Sequence, residues 1–204
     1  MSYLVLVRHG ESVWNAQGLW TGWRDIDLDV KGRAVAGGVG EKLRGINFQI
    51  AYTSKLLRAI HTLDEIKKVL GAENLETVED SALNERDYGD YTGKNKWELQ
   101  KLFGEEKFQR IRRGWDEPVP NGETLKDVYN RVVPFYQSHI LEDLKNGKNV
   151  LVVAHGNSLR ALVKYIEDIP DVEIPNIEIA TGEIDIYEMD AEGKILSKEI
   201  KKPD

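Results

Sequence analysis

The 204-residue chain contains no cysteine, which excludes disulfides, thiolate catalysis and thiolate metal sites and fits a reducing compartment. No apolar run approaches the roughly 18 residues needed to span a bilayer. The strand signal begins at Tyr3, leaving no room for a signal peptide, so the expected location is the cytoplasm, with no membrane partner. An excess of positive charge is also missing. The formal net charge of −7 argues against nucleic acid as a partner, because proteins that bind it carry a basic face. No cluster of His and carboxylate residues falls at ligand spacing, so no metal site is expected. No repeat or linker divides the sequence, and residues 1–204 are expected to form one domain large enough to bury a core without staples.

What the chain does contain is one local pattern twice. Tyr3-Leu4-Val5-Leu6-Val7 is an unbroken apolar run that stops at Arg8-His9-Gly10, and Asn149-Val150-Leu151-Val152-Val153-Ala154 stops at His155-Gly156-Asn157-Ser158. Each reads as a buried strand that delivers an imidazole at its carboxyl end, with Gly10 expected to let the backbone turn and the second copy running straight into a helix. Open α/β sheets bind ligands at the carboxyl ends of their strands, so two such strands side by side would bring both imidazoles to one crevice. An acidic protein that handles an anion must also gather its cations locally. Arg8, Arg24, Arg58, Lys96, Arg112, Arg113 and Arg160 are the candidates, although each taken alone reads more simply as a solvated surface charge.

The rest of the pattern alternates strands with helices. Residues 17–29, rich in Gly, Trp and Asp, read as a loop that offers backbone N–H groups and the Thr21 hydroxyl to a ligand. A helix over 31–43 with Asp29 as N-cap is weakened by Gly37, Gly38 and Gly40, each costing roughly 1 kcal/mol relative to Ala. A strand at 48–53 leads to a helix at 55–69, capped by Ser54 and striped by Leu56, Ile60, Leu63 and Ile66. Arg58 lies in its first turn, near the helix end that attracts anions, and His61 reads as structural. There follow a strand at 75–78, a loop at 83–93 placed over the crevice, helices at 96–103 and 105–113, and a break at 115–122. A helix at 123–144 should be kinked or split by Pro134. After the second strand and its helix at 158–166 come a strand at 183–189 with one wet face and an edge strand at 195–200. The order of elements is that of an α/β fold with a mostly parallel central sheet.

A neutral imidazole can attack phosphorus, and guanidinium groups beside it lower its pKa by like-charge repulsion while gripping phosphoryl oxygens. Arg8 and Arg58 suit that double task, and His155 with the amides of Gly156 and Asn157 can stabilise the charge that develops. Spacing alone does not say which histidine is the nucleophile.

Arg8-His9-Gly10-Glu11-Ser12 with Trp14-Asn15, together with His155-Gly156-Asn157-Ser158, resembles the signatures of the histidine phosphatase superfamily. Thr21-Gly22-Trp23-Arg24-Asp25, Leu83-Asn84-Glu85-Arg86-Asp87-Tyr88-Gly89, Thr92-Gly93-Lys94-Asn95-Lys96 and Arg112-Arg113 resemble its cofactor-dependent phosphoglycerate mutases. The resemblance implies the three-layer α/β/α histidine phosphatase fold. It implies interconversion of 3-phosphoglycerate and 2-phosphoglycerate in glycolysis and gluconeogenesis, through a phosphohistidine primed by 2,3-bisphosphoglycerate and without a metal. By the same resemblance His9 is the nucleophile, His155 the transition-state stabiliser and Glu85 the acid/base, with Arg8 and Arg58 as catalytic partners. The implied substrate contacts are Arg8, Ser12, Asn15, Thr21, Gly22, Arg58, Glu85, Tyr88, Lys96, Arg112, Arg113, Gly156 and Asn157. A monomer or small homo-oligomer acting on a small phosphorylated molecule is expected.

One segment departs from that pattern. The connection from Trp115 to Leu125 is shorter than is usual in these mutases, its Pro120-Asn121-Gly122-Glu123-Thr124-Leu125 stretch is closer to the phosphatase branches, and few residues follow Ile200. Closure is then expected from Trp115 and its neighbours. The alternative reading is a metal-independent phosphomonoesterase of broader specificity.

Overall fold

The computed structural model describes residues 1–203. In chain order the first half comprises β1 (Ser2–Arg8), α1 (Val13–Ala16), α2 (Val30–Lys42), β2 (Ile50–Thr53), α3 (Leu57–Leu70), β3 (Thr77–Glu79), α4 (Lys96–Phe103) and α5 (Glu105–Arg113). The second half comprises α6 (Leu125–Phe135), α7 (Leu141–Lys145), β4 (Val150–Ala154), α8 (Gly156–Ile166), β5 (Ile184–Met189) and β6 (Ile195–Lys201). No helix among the described residues is long and apolar enough to cross a membrane.

The strands form one sheet in the order β3-β2-β4-β1-β5-β6. The β3, β2, β4 and β1 pairings are parallel, while β5 and β6 add an antiparallel edge. The two strands that end in His-Gly are therefore direct neighbours, in a register that sets Arg8 opposite Ala154. The backbone N–H of His9 donates to the Ala154 carbonyl at 3.0 Å, so both imidazoles leave the sheet at the same height.

Alternation along these strands produces the layers. Leu4, Leu6, Val150 and Val152 face α6, α7 and α8 through Val128, Val132, Leu144 and Leu162, whereas Val5, Val7, Leu151 and Val153 face α2 and α3 through Val39, Leu43, Ala59, Leu63 and Ile66. Each such side chain contributes about 1.5–3 kcal/mol when fully buried, which fixes the register because a slip by one residue would exchange the faces. A third, smaller cluster of Trp20, Leu99, Phe108, Ile111 and Val119 ties α4 and α5 together away from the sheet.

Several local expectations change. Gly10 is not in the left-handed region. Its role is close approach: a Cβ on Gly10 would strike the backbone of Gly32, and one on Gly32 would strike the backbone of Glu11. Helix α2 runs its whole length despite its glycines, and Gly40 lets it pack directly on Val69 of α3. Ser54 does not cap α3. The N-cap position is Leu56, two residues on, and the Ser54 hydroxyl accepts from the Leu56 N–H at 3.2 Å while meeting His155. Ile60 of the expected stripe is only partly buried. Pro134 neither splits nor sharply ends its helix; α6 passes into a π-helical turn at Tyr136–Ile140, with Ser138 Oγ donating to the Pro134 carbonyl at 2.8 Å, and continues as α7. The wet face expected on β5 is covered: Asp185 is buried, with the Lys198 ammonium at 3.3 Å.

Candidate active site

The floor of the site is built by the carboxyl ends of β1, β4 and β2. His9 is 2% exposed and His155 fully buried, with ring centroids 4.9 Å apart. His9 Nδ1 lies 2.6 Å from the Gly10 carbonyl, an acceptor, so that nitrogen carries the proton and Nε2 keeps its lone pair. Burial, and after it the Arg58 and Arg8 guanidiniums, hold the His9 imidazole well below its usual range, so it is neutral at pH 7. His155 is held low in the same way, by burial first and then by Arg58, His9 and Arg8. The arginines anticipated from sequence act in the expected direction, but burial is the larger cause. His155 does not itself line the open cleft. Its Nε2 meets Ser54 Oγ at 2.7 Å, and its Nδ1 is buried without a partner among the described residues.

Arg8 and Arg58 close around this floor. Arg8 Nη1 donates to the Ile179 carbonyl at 2.6 Å, and its guanidinium lies against Gly156, where a Cβ would come within 3.4 Å of it. Arg58, at the second position of α3, donates to the carbonyls of Gly22 (2.8 Å) and Arg24 (3.0 Å). Burial lowers its pKa to about 10, which leaves it charged at pH 7. Those two bonds draw the 21–24 loop over the floor, and Gly22 turns there with φ of 54°. Thr21 Oγ1 is buried on the cleft wall without a partner among the described residues, a donor free to meet an anion.

Glu85 forms the next part of the wall. Its Oε1 accepts from the backbone N–H groups of Arg86 (2.7 Å) and Asn157 (3.2 Å) and from Asn157 Nδ2 (2.9 Å). Asn157 Nδ2 also meets the Tyr88 hydroxyl at 2.9 Å. The Glu85 loop is braced from behind by Arg131 of α6, which donates to the carbonyls of Ala82, Asn84 and Glu85 while its guanidinium meets Glu123 at 2.8 Å. The short connection after Trp115 packs on this loop too, since Glu123 N–H donates to the Asp87 carbonyl at 2.8 Å and a side chain on Gly89 would strike the backbone at Pro120. Trp115 itself does not close the cleft: its ring packs on Tyr129 and under the Lys164 ammonium.

The far end of the cleft is cationic. Lys96 opens α4 and Arg112 and Arg113 close α5. Burial, then Arg112 and Arg8, lower the Lys96 pKa to about 8. Arg113 pairs with Glu178 at 2.8 Å. Arg160 is buried in α8 and donates to Asn157 Oδ1 (3.0 Å) and to the carbonyls of Arg113 (2.7 Å) and Ile174 (2.8 Å).

Arg8, His9, Asn15, Thr21, Gly22, Arg58, Glu85, Tyr88, Lys96, Arg112, Arg113, Gly156 and Asn157 thus line one cleft. Besides His155, which lies beneath the floor, two residues fall elsewhere. Ser12 is buried as the N-cap of α1, its hydroxyl on Asn15, and the Arg24 side chain is exposed to solvent, only its carbonyl serving Arg58. Trp20, Glu178 and Ile179 line the cleft without having been anticipated. Ser54 shares one sequence feature with the histidines, since it follows a strand end as His9 and His155 do. Arg131 and Glu178 have no such feature, being single charges on an ordinary helix and an ordinary loop.

A sequence model of the Histidine phosphatase superfamily (branch 1) matches residues 4–200. A 2,3-bisphosphoglycerate-dependent phosphoglycerate mutase of Bradyrhizobium diazoefficiens is 49% identical over 197 residues, covering 96% of this chain and 95% of that protein. A protein of the same name from Mesorhizobium japonicum is 47% identical over 199 residues, 97% of each chain. Among solved structures, Bacillus stearothermophilus YhfR matches with a TM-score of 0.83 at 28% identity, over 96% of this chain and 94% of its own. A mycobacterial glucosyl-3-phosphoglycerate phosphatase shares the fold, with a TM-score of 0.82 at 22% identity over 92% and 93%. Two buried histidines at neighbouring strand ends, set in a family pattern that runs almost from end to end, make this chain a member of the histidine phosphatase superfamily, branch 1.

Proposed function

We propose that the protein interconverts 3-phosphoglycerate and 2-phosphoglycerate through a phosphohistidine on His9. The observation that carries this reading is a cleft with cations at both ends: Arg8 and Arg58 around a neutral His9, and Lys96, Arg112 and Arg113 opposite, matching a substrate with a phosphate at one end and a carboxylate at the other. The His9 Nε2 lone pair is the nucleophile toward phosphorus. Arg8 and Arg58 hold the phosphoryl oxygens, and the Thr21 hydroxyl and the amides of Gly22, Gly156 and Asn157 add donors. His155, beside the His9 ring, stabilises the charge of the transition state. Glu85 gives a proton to the leaving alkoxide and takes one from the attacking hydroxyl. Asn15 and Tyr88 orient the ligand, while Lys96, Arg112 and Arg113 keep it in the cleft long enough to turn. When bound, 2,3-bisphosphoglycerate supplies the phosphoryl group that primes His9, and a cleft cationic at both ends, with an unpartnered Thr21 hydroxyl, fits a doubly phosphorylated acid. The positive charge at the phosphoryl group comes from Arg8 and Arg58, since both imidazoles are neutral at pH 7, and no metal enters this reading. We read the chain as one domain acting in the cytoplasm, as a monomer or small homo-oligomer, on a small phosphorylated molecule.

The test is incubation with 3-phosphoglycerate, with and without 2,3-bisphosphoglycerate, measuring 2-phosphoglycerate and free phosphate together. Formation of 2-phosphoglycerate that depends on the primer is the expected result, with His9→Ala inactive and unlabelled. Glu85→Gln should still accept phosphate on His9 but turn over poorly. Free phosphate as the main product in both tubes overturns the mutase reading in favour of a phosphomonoesterase.

A further inference from the structure

Two carboxylates line a cleft that otherwise gathers cations, and they are held in opposite ways. Glu85 is buried and fixed by three N–H groups. Glu178 is loosely held: its side chain is 58% exposed and meets Arg113 Nη2 at 2.8 Å. The two ends of that ion pair come from different walls. The Arg113 main chain is pinned at the last turn of α5 by Arg160, which donates to its carbonyl at 2.7 Å. Glu178 precedes Ile179, whose carbonyl is held by Arg8 at the His9 end of the cleft. The backbone on both sides is thus anchored, and only the two side chains are free to part.

We infer that Glu178 is a specificity-determining residue, an internal carboxylate that occupies Arg113 until the far anionic end of a ligand displaces it. The inference rests on the two-ended reading of the cleft given above. An ion pair this exposed is weak, roughly a two- to five-fold effect on an equilibrium, so a carboxylate or phosphate delivered by a ligand already gripped at the His9 end outcompetes it. A neutral far end offers Arg113 nothing in exchange and leaves the pair in place. The lowered pKa of Glu178, caused first by its bond to Arg113, keeps it ionised and therefore competing at neutral pH.

Calorimetric titration of the unsubstituted protein and Glu178→Gln with 3-phosphoglycerate, glycerol 3-phosphate and inorganic phosphate tests this. The substitution should tighten 3-phosphoglycerate binding between about two- and five-fold, the size of an exposed pair. Glycerol 3-phosphate and inorganic phosphate should change by less than two-fold, and in an Arg113→Met background the gain should vanish. Unchanged or weaker 3-phosphoglycerate binding would make Glu178 a support for Arg113 and overturn the inference, as would an equal gain for all three ligands. If the unsubstituted protein binds 3-phosphoglycerate no better than inorganic phosphate, the two-ended reading itself falls, and this inference with it.

Discussion

The Ser54 hydroxyl and His155 Nε2 lie 2.7 Å apart in a fully buried setting, one strand end reaching across to the next. Ser54 Oγ also accepts from the Leu56 N–H at 3.2 Å, so its own proton is available to Nε2. That contact holds the His155 ring in one orientation and one tautomer, with Nδ1, buried and without a partner among the described residues, on the far side of the ring. Ser54→Ala is expected to release this tautomer and lower kcat about ten-fold, near the value of one buried hydrogen bond. Imidazole nitrogen NMR of His155 checks it; an unchanged tautomer with reduced kcat would refute the coupling.

Substrate affinity should depend on pH through Lys96. Burial, with Arg112 and Arg8, lowers its pKa to about 8, so its charge is present below that pH and lost above it. KM for 3-phosphoglycerate should therefore rise as pH increases through about 8, and binding near pH 8 should take up protons because a bound anion restores the charged form. Steady-state kinetics from pH 7 to 9.5 should show this rise, and Lys96→Arg should flatten it.

Stability should fall on mild acidification for a reason located at the site floor. His9 and His155 stay neutral in the fold well below the ordinary 6.5. The unfolded chain takes up those protons first, so each histidine removes about 1.4 kcal/mol per pH unit below roughly pH 6.5, until its folded pKa is reached. Urea midpoints between pH 5 and 7 should drop accordingly, with a shallower slope in His155→Asn. An equal slope in the variant would assign the loss to other groups.

Glu85, Asn157, Arg160 and the Arg113 carbonyl form one hydrogen-bonded chain from the acid/base to the far cations. Arg160→Met keeps the volume but leaves buried acceptors on Arg113, Ile174 and Asn157 without their donor. A loss of about 3 kcal/mol in stability is expected, together with more phosphate released per 2-phosphoglycerate formed. A variant that loses stability while keeping its product ratio would confine Arg160 to a structural role.

The parts of this fold legible in the sequence are those written in local chemistry. The twin apolar runs ending in His-Gly place β1 and β4, and residues 96–103 and 105–113 emerge with the expected bounds because Gly104, with φ of 77°, separates them and Gly114 ends the second. What stayed hidden depends on partners far away in the chain. Ser54 looks like a helix cap until β2 is seen to lie beside β4. Asp185 looks like part of a wet strand face until Lys198 and Tyr187 are seen to cover it. Arg131 holds the Glu85 loop from 46 residues away, a relation no periodicity encodes.

Trp20, Leu99, Phe108, Ile111 and Val119 pack among themselves and share no residue with the two clusters on the sheet. A wall with a core of its own can open as one unit once its few bonds to the rest, such as that from Arg160 to the Arg113 carbonyl, are broken. The amides of α4 and α5 should then exchange with solvent deuterium as one cooperative group, at a lower opening free energy than those of β1 and β4. Because Tyr88 of the cleft sits edge-on to Trp20 at 4.2 Å, a ligand that settles Tyr88 should slow exchange across both helices together, at sites it never touches.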